Sequence, residues 1–118
     1  GVREVVDHIG DLADIVVNLD NVEEKIVLTC VAELTQYERM ERQWTAAGDV
    51  ERRIRDVSRK FPLGIIPGIL RSLQARYILD QREDEGLEMK YSIQVPLLQI
   101  YVQNTLKLKD VLREGGYA

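Results

Sequence analysis

The run from Asn21 to Ala47 reads as one long amphipathic helix, and a rod of that length limits what the chain can fold into more than any other feature. Val27, Cys30, Leu34, Tyr37 and Trp44 recur at helical steps, and Ile26, Leu28, Val31 and Met40 widen the apolar stripe on one side. At 1.5 Å per residue the run would span about 40 Å, longer than a small single-domain core needs, so the helix is expected to assemble with something. Asp20 with Glu23, or Asn21 with Glu24, supplies a capping side chain at its start, and Gly48 suits a left-handed cap at its end.

The flanking segments continue the helical pattern. Val2, Val5, Ile9, Leu12, Val16 and Leu19 alternate by threes and fours, which predicts a first helix from about Val2 to Asn18 despite Gly10. Asp49 can cap a third helix bearing Val50, Ile54, Val57 and Phe61, stopped by Pro62. Phe61 to Gly68 (FPLGIIPG) holds two prolines and two glycines and reads as a hinge. Pro67 opens a fourth helix with Ile69, Leu70, Leu73 and Tyr77 inward, an acidic frayed end over Asp80 to Glu85, and Gly86 beyond it. Leu87 to Val95 is either a loop or one short extended segment near residues 88–95. Pro96 then opens a last helix to about Glu114, with Leu98, Tyr101, Val102, Leu108 and Leu112 inward, ended by Gly115 and Gly116. The expected fold is therefore all-α: a single helical domain over residues 1–118, built as a long helical hairpin or small bundle of about five helices.

Composition narrows the class. The chain of 118 residues is 45% apolar and 31% charged, ordinary usage for one globular domain. Its longest uncharged stretch, Tyr91 to Leu106, is 16 residues and holds Ser92, Gln94, Gln99, Gln103 and Asn104, too short and polar for a membrane span. Arg3, Glu4, Asp7 and Asp11 interrupt the apolar core that a signal peptide requires. One cysteine, Cys30 on the apolar stripe, allows no intrachain disulfide, which fits an intracellular setting and a small buried hydrophobe.

Catalytic schemes lack parts. His8 is the only histidine, so neither a two-histidine metal site nor HExxH can be drawn, and Gly64 to Gly68 lacks the GKS/T ending of a phosphate-binding loop. Glu38 and Glu41 could form a carboxylate pair, but Arg39 and Arg42 beside them make an exposed salt-bridged helix face the expected role. No enzyme activity, cofactor, metal or small-molecule substrate is expected.

Charge is the remaining signal. Net charge is −4, yet Glu38 to Arg76 carries nine basic and five acidic residues. Arg52, Arg53, Arg55, Arg59 and Lys60 concentrate there; on a helix Arg52, Arg55 and Arg59 fall on one side and could track phosphates. The alternative is a solvated face paired with Glu51, Asp56 and acidic residues of a neighbour. Val27, Leu34, Tyr37 and Trp44, with Ile65, Ile66 and Ile69 of the hinge, are the candidate subunit interface, since the monomer must cover this apolar surface or share it.

Two stretches resemble a known family. Residues 19–48, LDNVEEKIVLTCVAELTQYERMERQWTAAG, look like the segment of phage terminase small subunits in which an acidic residue opens a long helix closed by glycine. Residues 91–115, YSIQVPLLQIYVQNTLKLKDVLREG, are similar to the same family's proline-led helix. The resemblance implies a noncatalytic, ring-forming homo-oligomer of a DNA-packaging complex in the cytoplasm of an infected bacterial host, recognising viral DNA and regulating the large subunit. Residues 49–90 lengthen the connection beyond that pattern, and no separate DNA-binding domain is recognisable before Asp20. The cationic candidates therefore come from the residues themselves. A helical adaptor or scaffold domain binding a protein through Phe61 to Ile69 is the alternative function.

Overall fold

In the computed structural model, residues 14–16, 18, 19 and 21–118 are described; most of the expected first helix, with His8, lies outside them. The all-α expectation is overturned: among the described residues a three-stranded antiparallel sheet accompanies five named α-helices. The order is α1 (Val22–Leu34), β1 (Thr45–Ala46), α2 (Ala47–Val57), a 3₁₀ turn (Leu63–Ile65), α3 (Ile66–Ala75), β2 (Leu79–Glu83), β3 (Met89–Ile93), α4 (Pro96–Thr105) and α5 (Leu108–Glu114).

Helix α1 starts as the capping pattern requires, with Asn21 Oδ1 accepting the Glu24 N–H at 2.9 Å and Glu23 and Glu24 in the first turn. It is the centre of the domain. Every residue from Ile26 to Ala32 is buried, because α2, α3, α4, α5 and β3 all pack on it. A helix enclosed on all sides needs apolar residues all round, not a stripe.

The long helix therefore stops at Leu34, thirteen residues before its expected end. Thr35 ends it by turning its hydroxyl back on the Val31 carbonyl at 2.6 Å, while Gln99 of α4 donates to the Ala32 carbonyl at 2.7 Å. The chain then reverses at Glu38–Glu41, whose backbones exchange hydrogen bonds of 3.1 and 2.8 Å around Arg39 and Met40, both at positive φ (51° and 66°). Two successive left-handed residues are the geometry of a type I′ turn, whose usual signal is Asn-Gly, so nothing local announced it. The reversal brings Thr45 and Ala46 opposite Tyr91 and Lys90 of β3.

Arg42, expected on a helix face, instead clamps this sheet: it donates to Ser92 Oγ and Asp80 Oδ2, both at 3.1 Å, and to the Ile93 carbonyl at 2.6 Å. Its guanidinium lies 4.7 Å from the Trp44 ring centroid, and that of Arg82 lies at 4.6 Å.

Gly48 and Asp49 sit inside the first turn of α2 and do not cap anything; α2 ends at Val57, short of Phe61. Pro67 opens α3 as its residue type favours. Tyr77, expected inward, is 78% exposed at positive φ. The expected acidic frayed end is β2, paired with β3 from Leu79↔Ile93 to Glu83↔Met89. The last helix is two, because Leu106 and Lys107 are extended (ψ 133° and 134°) and redirect α5 onto α1. Gly116, at φ 80°, closes α5: its N–H reaches Arg113 O and that of Tyr117 reaches Leu112 O. Tyr117 then folds back edge-on to Phe61, 5.1 Å between centroids.

Candidate nucleic-acid interface

Only Val50 and Ile54 of α2 are buried, so its remaining surface is free to carry charge. The five cationic candidates separate there by what they touch. Arg52 pairs with Asp49, and Arg53 grips Glu33 of α1 through two bonds of 2.9 and 2.8 Å. That hydrogen-bonded carboxylate raises the Arg53 pKa above its ordinary value. Both guanidiniums are thus engaged within the chain.

Arg55, Arg59 and Lys60 are exposed. Among the described residues the ion pairs fall on Lys25, Arg42, Arg52, Arg53, Arg76 and Lys90, and none on Arg55, Arg59 or Lys60. Arg55 and Arg59 line one open hollow with Asp56 and Val57.

Helix α3 packs on α1 and α2 through Ile66, Leu70 and Leu73. Its other side, with the turn before it, exposes Gly64, Ile65, Gly68, Arg71 and Ala75 at steps of one, three, three and four. Arg71 likewise has no ion pair among the described residues. Sequence reasoning missed this face because it counted Arg71 only towards charge. The pattern of small residues around one arginine was the available signal.

Gly68 stands on this exposed face of α3, and it shares with Gly48 in the first turn of α2 a freedom from close neighbours. Gly68 sits in the first turn of α3 without a positive φ, and a Cβ built there would meet no atom within 4 Å. The chain's own packing does not require glycine at a position where alanine would stabilise the helix by roughly 1 kcal/mol.

The interface candidates do not share a face. Val27 and Ile66 are fully buried in this chain's own core, so neither can reach a partner. Leu34 and Ile69 pack partly against that core, and Trp44 lies between Arg42 and Arg82. Tyr37 is 43% and Ile65 39% exposed. Phe61 and Ile66 of the hinge are likewise consumed internally.

Among the described residues, no group of three or more His, Cys, Asp or Glu is placed to hold a metal, and no helix is long and apolar enough to cross a membrane. Cys30 is buried, 3.8 Å from the Val50 carbonyl, and burial, aided by Glu33, pushes its thiol up to about 12. No protein-family model, curated protein or solved structure matches the chain.

Proposed function

We propose that this domain is a noncatalytic helix-turn-helix module that binds duplex nucleic acid, with α3 entering a groove and the end of α2 on the backbone. The element order supports this reading. Helix, strand, helix, turn, helix, then a two-stranded hairpin, with the first strand closing on the last, is the arrangement of a winged helix-turn-helix. The likeness is topological, and the connection over residues 58–65 is longer than the usual three or four residues of such a turn.

The observation that carries the proposal is Gly68: an unrequired helical glycine on the exposed face of α3, on the same helix as Arg71 and following the unpaired Arg55, Arg59 and Lys60. A missing side chain there lets another molecule's backbone approach closely. The unpaired cations supply sequence-independent affinity by displacing counterions. Membership of a DNA-packaging complex rests on the resemblance of residues 19–48 and 91–115 alone.

Anisotropy of a labelled duplex of about 20 bp, titrated across a salt series, tests this. Replacing Arg55, Arg59 and Lys60 together by Ala is expected to flatten the log–log salt slope by about 3. Gly68→Ala should weaken binding while stabilising the fold by about 0.5–1 kcal/mol, a split that a purely structural glycine would not give. Unchanged affinity in both variants would overturn the reading.

One observation favours a second reading. The β2–β3 turn carries Glu83, Asp84, Glu85 and Glu88, a cluster that phosphate would repel. If the wild type fails to bind duplex even at low salt, the same module is a protein-interaction adaptor instead.

A further inference from the structure

We propose that the outward face of α4, with the Tyr37 corner beside it, is a symmetric contact between two copies of this chain. Helix α4 buries Leu98, Gln99 and Val102 against α1 and β3. It leaves Leu97 and Ile100 each 51% exposed, with Val95 just before it at 41% and Tyr37 at 43%. Tyr37 and Ile100 belong to one surface, since both line a single hollow of about 200 Å³ with Gln36, Pro96, Gln99 and Gln103. Buried Gln99 has its amide satisfied by Ala32 O and Gln103 Oε1, so it asks nothing polar of an occupant.

Charge identifies that occupant. From Tyr91 to Leu106 there is no charged residue, in a chain that is 31% charged with a net charge of −4. A contact across a two-fold axis sets each surface against its own duplicate, so any charge near the axis meets a like charge. An uncharged face rimmed by glutamines avoids that repulsion and desolvates no ion. Nucleic acid would find no cation on α4, and a partner steered by opposite charge would find nothing on that helix to complement. Ile100, central in the face, lies nearest the axis, and Leu97 of each copy enters the hollow of the other.

Sedimentation velocity over a concentration series reads the outcome. The exposed area is small, so a monomer–dimer equilibrium with Kd of about 1–100 μM is expected. Ile100→Glu, or Leu97→Lys should the first variant fold poorly, is expected to weaken dimerisation at least about 10-fold with the circular-dichroism melt retained. Tyr77→Glu, at another exposed aromatic, should leave the dimer intact. Ile100→Cys under mild oxidation should crosslink copy to copy, since buried Cys30 does not compete. A wild type that stays monomeric to about 1 mM overturns the proposal. So does a dimer that survives both Ile100→Glu and Leu97→Lys; if it then disappears on deleting residues 1–13, the contact belongs to that segment.

Discussion

Helices α1 and α2, of 13 and 11 residues, are nearly equal in length but live in opposite surroundings. The first is walled in by four helices and a strand, and seven consecutive residues from Ile26 to Ala32 see no appreciable solvent. The second rests on the core through buried Val50 and Ile54, with Ala47 and Val57 half-buried beside them, and offers its opposite side to water. One therefore holds the molecule together, and the other is free to specialise. Arg55 on the open side of α2, with Arg59 and Lys60 in the turn after it, carries no ion pair among the described residues, whereas Glu24, the acidic residue buried on α1, is paired with Arg76.

The contrast is open to attack at three strengths. Leu28→Ala, in the middle of α1 with no exposure, should cost about 2–5 kcal/mol in chemical denaturation, and a loss below about 1 would mean that α1 is not enclosed. Cys30, one helical turn from Leu28's neighbours, gives a gentler probe through pH. The folded thiol keeps its proton up to about 12, whereas the unfolded thiol releases it near 9.0, so between these values the folded state binds more protons. Stability from this group is fully present below pH 9.0 and falls as pH climbs towards 12, by up to about 1.4 kcal/mol per pH unit. Cys30→Ala should remove that slope in stability measured at successive alkaline pH values; an unchanged slope would place the thiol in solvent. Smallest of all, Arg55→Ala on the open side of α2 should shift stability by less than about 0.5 kcal/mol, and a larger loss would reveal a partner within the chain.

Legibility followed solvent. The pattern Val50, Ile54, Val57 and Phe61 reveals that a helix lies here, though α2 starts two residues before Asp49 and ends before Phe61, because a half-exposed helix must write its two environments into its sequence, one every three or four residues. Residues 35–46 wrote a similar stripe and yet do not form a helix. Tyr37, Met40 and Trp44 would have had to face a surface the domain does not provide there, and the turn at Arg39 and Met40 carries none of the residues that usually mark positive φ. Two of the strands were equally silent, whereas β3 (Met89–Ile93) falls in the segment near residues 88–95 that reads as loop or extended. β1 is two residues long, and β2, an edge strand with sequence LDQRE, buries only Leu79, so neither shows alternation. Of the site, Arg52, Arg53, Arg55, Arg59 and Lys60 were visible as a cluster. Which of them remain unpaired depends on Glu33 and Asp49, and only the first of these is remote enough in sequence to be invisible.

Taken alone, the sequence determined where helices could begin and end by local chemistry: the Asn21 cap, Pro67 and Pro96 in first turns, Gly116 at positive φ. Each of these is satisfied by neighbours within a few residues. Tertiary structure alone decided that the chain would reverse at Glu38–Glu41, pair Thr45 with Tyr91 and lock the junction with Arg42 on Ser92, Asp80 and Ile93. Those partners lie 38 to 51 residues away from Arg42, and no periodicity in a local window can encode a hydrogen bond whose other half is that distant.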